Sequence, residues 1–241
     1  MRAGVFLAVI ALAFTGAVSV QAADKRWCHG VSDYASDETL RLARIVSKAK
    51  RVNFVSNPGD TAKTAECPSM SQQCQGRAFL VPGDHVLVDE IEGDFACVSF
   101  VSARGAETGG WIPKEAVEAL PPASPALKDW TGAWTRTEAS IKLELKNGKI
   151  DADGDASWGS RDPVRVRNGA VHTGGFAGSA MPQGNRLAYG EGYDGKGAPD
   201  RDNFECQVLL RLFGRYLLVD DNSHCGGANV SFSGVYVRKA R

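Results

Sequence analysis

Near its C-terminus the chain reads Asp220-Asp221-Asn222-Ser223-His224-Cys225-Gly226-Gly227-Ala228-Asn229, which crowds carboxylates, an imidazole and a thiol into one short run. Such a set could bind a metal or support a thiolate nucleophile. A cysteine nucleophile needs a base within hydrogen-bond reach, generally brought from elsewhere in the fold. Neighbours in a strand point to opposite faces, so His224 and Cys225 make a poor dyad. A structural reading uses every residue. Asp221 and Asn222 suit turn geometry, Gly226 and Gly227 permit positive φ, and Cys225 can reach back to Cys206, the other cysteine of that half. Closing that loop stabilises a fold by about 3 kcal/mol on chain entropy. The expectation is a stapled corner.

A second candidate is "DADGDASWGSRD", with Asp151, Asp153, Asp155 and Asp162 at positions one, three, five and twelve of a Ca²⁺ loop. Alternate carboxylates suit an ion that takes oxygen ligands. The sixth position is Ala156 where the sharp turn needs Gly, the twelfth is Asp rather than the longer Glu, and the preceding segment reads as a β-hairpin. A polar strand edge and turn is therefore expected, with no metal and no cofactor. Nucleophile elbows, zinc helices of the His-Glu-x-x-His type and phosphate loops are absent from the sequence. Nor does any signal single out the carboxylate pair that glycoside hydrolysis requires. The reading is a non-enzymatic protein, the alternative being a calcium-assisted or otherwise unrecognised envelope hydrolase.

Aromatic faces are the remaining binding surface, since they offer large area at little entropic cost. Trp111 is expected to pack in the first half, and Trp130 and Trp134 to flank the opening of the second. Trp158, beside Gly159 in the polar segment, is the candidate exposed contact.

What must position these residues begins with export. "MRAGVFLAVIALAFTGAVSVQAAD" has the charged, apolar and small-residue order of a secretory signal peptide, with cleavage expected after Ala22 and no membrane anchor left afterwards. The six cysteines then favour disulfides over metal thiolates. Cys28, Cys67, Cys74 and Cys97 allow three pairings. The preferred one closes the short loop Cys67–Cys74 and ties Cys28 to Cys97, although spacing alone does not decide it. With 28 basic and 28 acidic residues the chain carries no net charge, which removes the footprint of a nucleic-acid binder.

"LPPASPALKDW" cannot continue a helix or central strand, so residues 121–129 read as a linker between 23–120 and 130–241. In the first half, Ser36 or Asp37 could cap a helix carrying Leu42, Ile45, Val46 and Ala49 at helical spacing; the alternative is an irregular lead-in with one strand. Strand-like runs "RVNFV", "RAFLV", "HVLVDEIEG", "FACVSFV" and "GGWIP" follow. In the second half, Asn147-Gly148 is a strong hairpin signal between "SIKLELK" and "KIDADGDASW". "PVRVRNG", "NRLAYGEG", "FECQVLLRLFG", "RYLLVDD" and "NVSFSGVYVR" also read as strands, the last alternating Val230, Phe232, Gly234 and Tyr236 against Ser231, Ser233 and Val235. The fold class expected is all-β: two small barrels, the second with seven or eight antiparallel strands.

Two resemblances add to this. Residues 77–120, with Gly83-Asp84 before a β-run and the late Gly110-Trp111-Ile112-Pro113, resemble a bacterial Src-homology-3-type barrel. That likeness implies a non-enzymatic module holding cell-wall components, peptides or a partner domain. The second half, with its early "GAW", Cys206 and the closing "DNSHCGGANVSFSGVYVR", is similar to small periplasmic barrels of the lysozyme-inhibitor type. Such inhibitors present a Ser-Gly-x-x-Tyr loop to the enzyme; here Ser233-Gly234-Val235-Tyr236 is one residue shorter. Together these imply a periplasmic or secreted binding protein for a cell-wall component or an envelope protein, lysozyme among the partners, with Trp158, Trp111, Tyr236 and Ser233 as contact residues.

Overall fold

Asn147 and Gly148 take φ of 51° and 77°, the double positive φ of a two-residue hairpin whose twist matches its strands. In the computed structural model, which describes residues 27–31, 35–60, 66–103, 105–122 and 124–239, that hairpin is one corner of an all-β architecture. The signal-peptide segment lies outside the described residues.

The first half is a seven-stranded antiparallel sheet of β1 (Arg41–Ile45), β2 (Val52–Val55), β3 (Gln75–Leu80), β4 (His85–Glu92), β5 (Phe95–Val101), β6 (Glu107–Pro113) and β7 (Val117–Ala119). Its order is β3-β2-β6-β5-β4-β1-β7. The helix considered for residues 36–51 does not form. β1 pairs with β4 and β7, burying Ala43 and Ile45 while Arg41 and Arg44 face solvent. Leu42, on the other face, meets the second half near Gly214. Apolar residues on both faces of a strand mimic helical spacing, and long-range pairing overrides local propensity.

The second half opens with the short helix α1 (Leu127–Trp130) and continues with β8 (Gly132–Arg136), β9 (Ala139–Lys146), β10 (Lys149–Trp158), helix α2 (Pro163–Arg167), β11 (His172–Ala180), β12 (Arg186–Tyr189), β13 (Val208–Phe213), β14 (Tyr216–Asp221) and β15 (Gly234–Arg238). These eight strands run β11-β10-β9-β8-β15-β14-β13-β12 as a nearly closed antiparallel barrel. At the seam, Gly178 of β11 leaves no room for a Cβ beside Tyr189 of β12. Trp134, Ile141, Leu143, Ile150, Phe176, Leu210, Leu217, Phe232 and Tyr236 fill the interior. Phe176 lies over Gly154, where an added Cβ would stand 2.3 Å from the ring.

Two strand expectations need correction. "PVRVRNG" is helix α2: Pro163 sits at its first turn, and the Asp162 carboxylate accepts from Val164 N at 2.8 Å. "NVSFSGVYVR" pairs as a strand only from Gly234, because Ser231 and Ser233 are committed to Asp221 instead of a ladder.

The halves meet along the outer face of β13–β15. Leu209, Phe213, Leu218, Val235 and Val237 pack there with Val31, Leu40, Leu87 and Val101. This is why β13 and β14 are buried on both faces. The Tyr216 hydroxyl donates to His85 O at 2.8 Å, and Asp220 accepts from Ala35 N and Ser36 N at 2.8 and 2.6 Å. Disulfides join Cys28 to Cys97, Cys67 to Cys74 and Cys206 to Cys225, the preferred pairing. Three such bonds suit an oxidising, extracytoplasmic compartment. No helix among the described residues is long and apolar enough to cross a membrane.

Candidate functional site

The run from Asp220 to Asn229 is the natural first place to look for chemistry. Cys225 is bonded to Cys206 and has no thiol to ionise. Asp221 Oδ1 accepts from Ser231 Oγ at 2.7 Å and from Ser233 Oγ at 2.6 Å. Asn222, 1% exposed, donates its amide to Asp200 O, Asn203 O and Glu205 O at 3.1, 2.9 and 2.8 Å. Its Oδ1 accepts from Gln207 N at 3.1 Å. His224 sets Nε2 3.1 Å from Arg201 O and its ring against Phe204. Asp220, Asn222 and His224 each fix backbone of another segment, and Asp221 holds the two serines of the loop that follows. The run is a structural hub that holds the loop from Gly190 to Gln207.

That loop belongs to one end of the barrel. Following the ladders, the β8–β9 turn, the β10–β11 connection with α2, the β12–β13 loop and the β14–β15 loop all emerge at the same end. The opposite end has the two-residue β9–β10 hairpin and the tight β13–β14 turn. Long loops on a rigid scaffold are where binding residues concentrate. The interior below them is filled with side chains, so at this end a ligand would be met at the rim rather than inside the barrel.

On this rim Trp158 ends β10 and is half-buried. The Arg165 guanidinium of α2 lies 4.0 Å from its ring centroid, and His172, which starts β11, has its ring centroid 5.4 Å away. Trp158 and His172 are direct cross-strand partners, which is why they meet. Arg165 reaches back over Gly159, where a Cβ would stand 2.7 Å from its Cδ. Glu138 pins the turn beneath. Burial alone would raise its pKa, but Ser160 Oγ at 3.0 Å and Arg161 N at 3.1 Å donate to the carboxylate and hold it below its ordinary value. Val164, Val166, Arg161 and Arg167, all exposed, belong to the same β10–β11 connection. Arg165 Nε also lies 3.7 Å from the Asp162 carboxylate, so the assembly offers an aromatic edge beside a guanidinium whose remaining N–H groups can donate to polar groups.

The other sequence candidates lie elsewhere. Trp111 is fully buried against the Cys28–Cys97 and Cys67–Cys74 cluster. Tyr236 is fully buried in the barrel, donates to Phe232 O at 2.8 Å, and is driven above the ordinary tyrosine range by burial. Ser233 faces Asp221 inside the loop. Neither Trp111 nor Tyr236 offers surface to a ligand, because each closes a core. Asp151, Asp153 and Asp155 alternate along β10 rather than around a loop, and Asp162 caps α2, so the Ca²⁺-loop arrangement does not assemble. Among the described residues no group of three acidic, His or Cys side chains could hold a metal. Sequence reasoning singled out Trp158 but missed Arg165 and His172. "PVRVRNG" hid Arg165 because it reads as a strand. No protein-family model, characterised protein or solved structure matches the chain.

Proposed function

We propose that this chain is an exported binding protein of the cell envelope, which holds a cell-wall glycan or peptide at the loop end of its second barrel by contact rather than by chemistry. The observation that carries this reading is the trio Trp158, Arg165 and His172, half-exposed on the end that bears the long loops. Arg165 covers one face of the indole, so the ring edge and the remaining guanidinium donors are what a ligand meets. A carboxylate-bearing wall component satisfies both. The likeness of residues 77–120 to Src-homology-3-type barrels supports a binding role in a periplasmic or secreted protein. The short turn Lys114–Ala116 ahead of β7 is consistent with such a barrel.

A lysozyme-inhibitor reading would need Ser233 and Tyr236 in the partner's cleft, yet both are committed inside the protein. The test is sedimentation with purified peptidoglycan, using the mature oxidised protein beside Trp158→Ala and Arg165→Gln variants. Wild type is expected in the pellet and both folded variants in the supernatant. Wild type remaining in the supernatant refutes wall binding, and slowed lysozyme turnover in the same preparation would move the reading to a protein partner.

A further inference from the structure

A groove of about 610 Å³ opens on the first sheet, and among the described residues its lining belongs to the first half. Its exposed apolar surface comes from Met70 and Ala49, over a floor to which the buried Val52 and Pro113 contribute, and Met70, 61% exposed, is a flexible side chain that adapts to what it meets. Lys48 and Arg51 stand in its walls with a single acidic lining residue, Glu115. Lys50 adds a further exposed cation on the same β1–β2 connection.

The charge here is uncompensated. Some surface lysines elsewhere are paired, Lys142 and Lys146 with Glu144 and Lys114 with Asp94. Among the described residues Lys48, Lys50 and Arg51 have no carboxylate within ion-pair distance. Arg51 is ordered instead by the Phe79 ring, 4.7 Å below its guanidinium. Gln75, the first residue of β3, also lines the groove, and β3 is an edge strand paired only with β2. An edge beside an apolar channel suits an extended chain, which can use both backbone groups and alternate side chains.

We propose that this groove is a second binding site, for an extended peptide segment whose carboxylate side chains alternate with aliphatic ones. The aliphatic groups would lie on Met70 and Ala49, over Val52 and Pro113, and the carboxylates would meet Lys48, Lys50 and Arg51. A nucleic acid fits less well, because among the described residues no aromatic side chain lines the groove and the nearby Phe79 ring is covered by Arg51. The site lies apart from Trp158 and stands whether or not wall binding does.

The test is fluorescence anisotropy on the mature oxidised protein with a labelled peptide of alternating glutamate and valine. The same peptide with lysine for glutamate and an oligothymidylate serve as competitors. Saturable binding of the acidic peptide is expected, weakened about tenfold or more by the Lys48→Glu, Arg51→Glu double variant and by raised salt. Trp158→Ala should bind it unchanged. Should the double variant fail to fold by circular dichroism, the salt dependence of wild type decides. No binding of the acidic peptide, binding indifferent to charge reversal or salt, or tighter binding of oligothymidylate would overturn the proposal.

Discussion

Asn222 is the residue on which the loop end depends, and its replacement gives a strong test of the hub. Its amide carries two N–H groups shared among Asp200 O, Asn203 O and Glu205 O, and its Oδ1 is the partner of Gln207 N. Each such bond contributes about 1 kcal/mol net, and a buried donor left without a partner costs about 1–3 kcal/mol. Removing the side chain in Asn222→Ala forfeits both donors and orphans Gln207 N, so a loss of about 3–5 kcal/mol is expected. For a chain of this size that corresponds to a melting point lower by roughly 6–20 °C.

The isosteric Asn222→Asp separates this account from a simple packing role. It keeps the volume and the acceptor for Gln207 N but turns a carboxylate oxygen towards three carbonyls. Near neutral pH it should be at least as destabilising as Ala. Burial and those carbonyls favour its protonated form, so the folded-state pKa of the new carboxyl lies above its unfolded value. The lost stability should then return in part as pH falls, when the acid regains one O–H donor. Urea unfolding followed by tryptophan fluorescence reads all three proteins. An Asp variant within about 1 kcal/mol of wild type near neutral pH would refute the hub.

Other expectations follow from the same geometry. Replacing Cys206 and Cys225 by Ala opens a loop spanning 19 residues and should cost about 3 kcal/mol, against about 4 kcal/mol for Cys28 and Cys97, which span 69; denaturant midpoints of the two variants give the order. Gly174→Ala would set a Cβ 2.2 Å from Cys225 O and 2.6 Å from Gly226 Cα, backbone that cannot swing aside, so a loss of about 1–3 kcal/mol is expected in a thermal melt. Burial raises the phenols of Tyr189 and Tyr236 above their ordinary value of 10.0 and pushes Tyr193 up to about 12. The folded state thus keeps protons that the unfolded chain gives up, so stability should be full below pH 10 and fall as pH rises beyond it, by up to about 1.4 kcal/mol per unit for each of Tyr189 and Tyr236 and by less for the half-buried Tyr193. In a Tyr34→Phe variant, tyrosinate absorbance should appear together with unfolding, and its appearance near pH 10 in folded protein would contradict the burial of these rings.

What was legible in the sequence is local. Asn147-Gly148 announced its hairpin because positive φ at both positions is a property of those residues. The cysteine pairing in the first half was a preference among three that spacing alone did not decide, and the disulfides match it; the alternation of Val230, Phe232 and Tyr236 survives as barrel-facing positions even though the ladder starts only at Gly234. What was not legible depends on distant partners. β1 looked helical because Leu42 answers to the second half while Ala43 and Ile45 answer to the first. α2 looked like a strand because Val164 and Val166 alternate with arginines, and only the Asp162 cap and Pro163 at the first turn betray it. Trp158 could be named as a surface contact, but His172 reaches it only through the β10–β11 register.

The seam between the halves carries the last consequence. A Pro-rich connection ordinarily marks units that move independently, and residues 121–122 and 125 have that composition. Here Leu209, Phe213, Leu218, Val235 and Val237 turn outward from the barrel to meet the first sheet. Uncovering five such side chains forfeits on the order of 10 kcal/mol by apolar area alone, an upper figure given partial exposure at the rim. Asp220 would lose Ala35 N and Ser36 N at the same stroke. A chain cut to residues 126–239 should therefore self-associate and bind a hydrophobic dye, despite holding its complete set of barrel strands and its own disulfide. Sedimentation velocity on that fragment is the measurement. A monomer that melts where the full chain does would mean that the seam is incidental. Self-association relieved by Leu218→Glu would mean that the linker joins two halves of one folded body, and that the rim and the groove are held at a fixed spacing when a ligand is engaged.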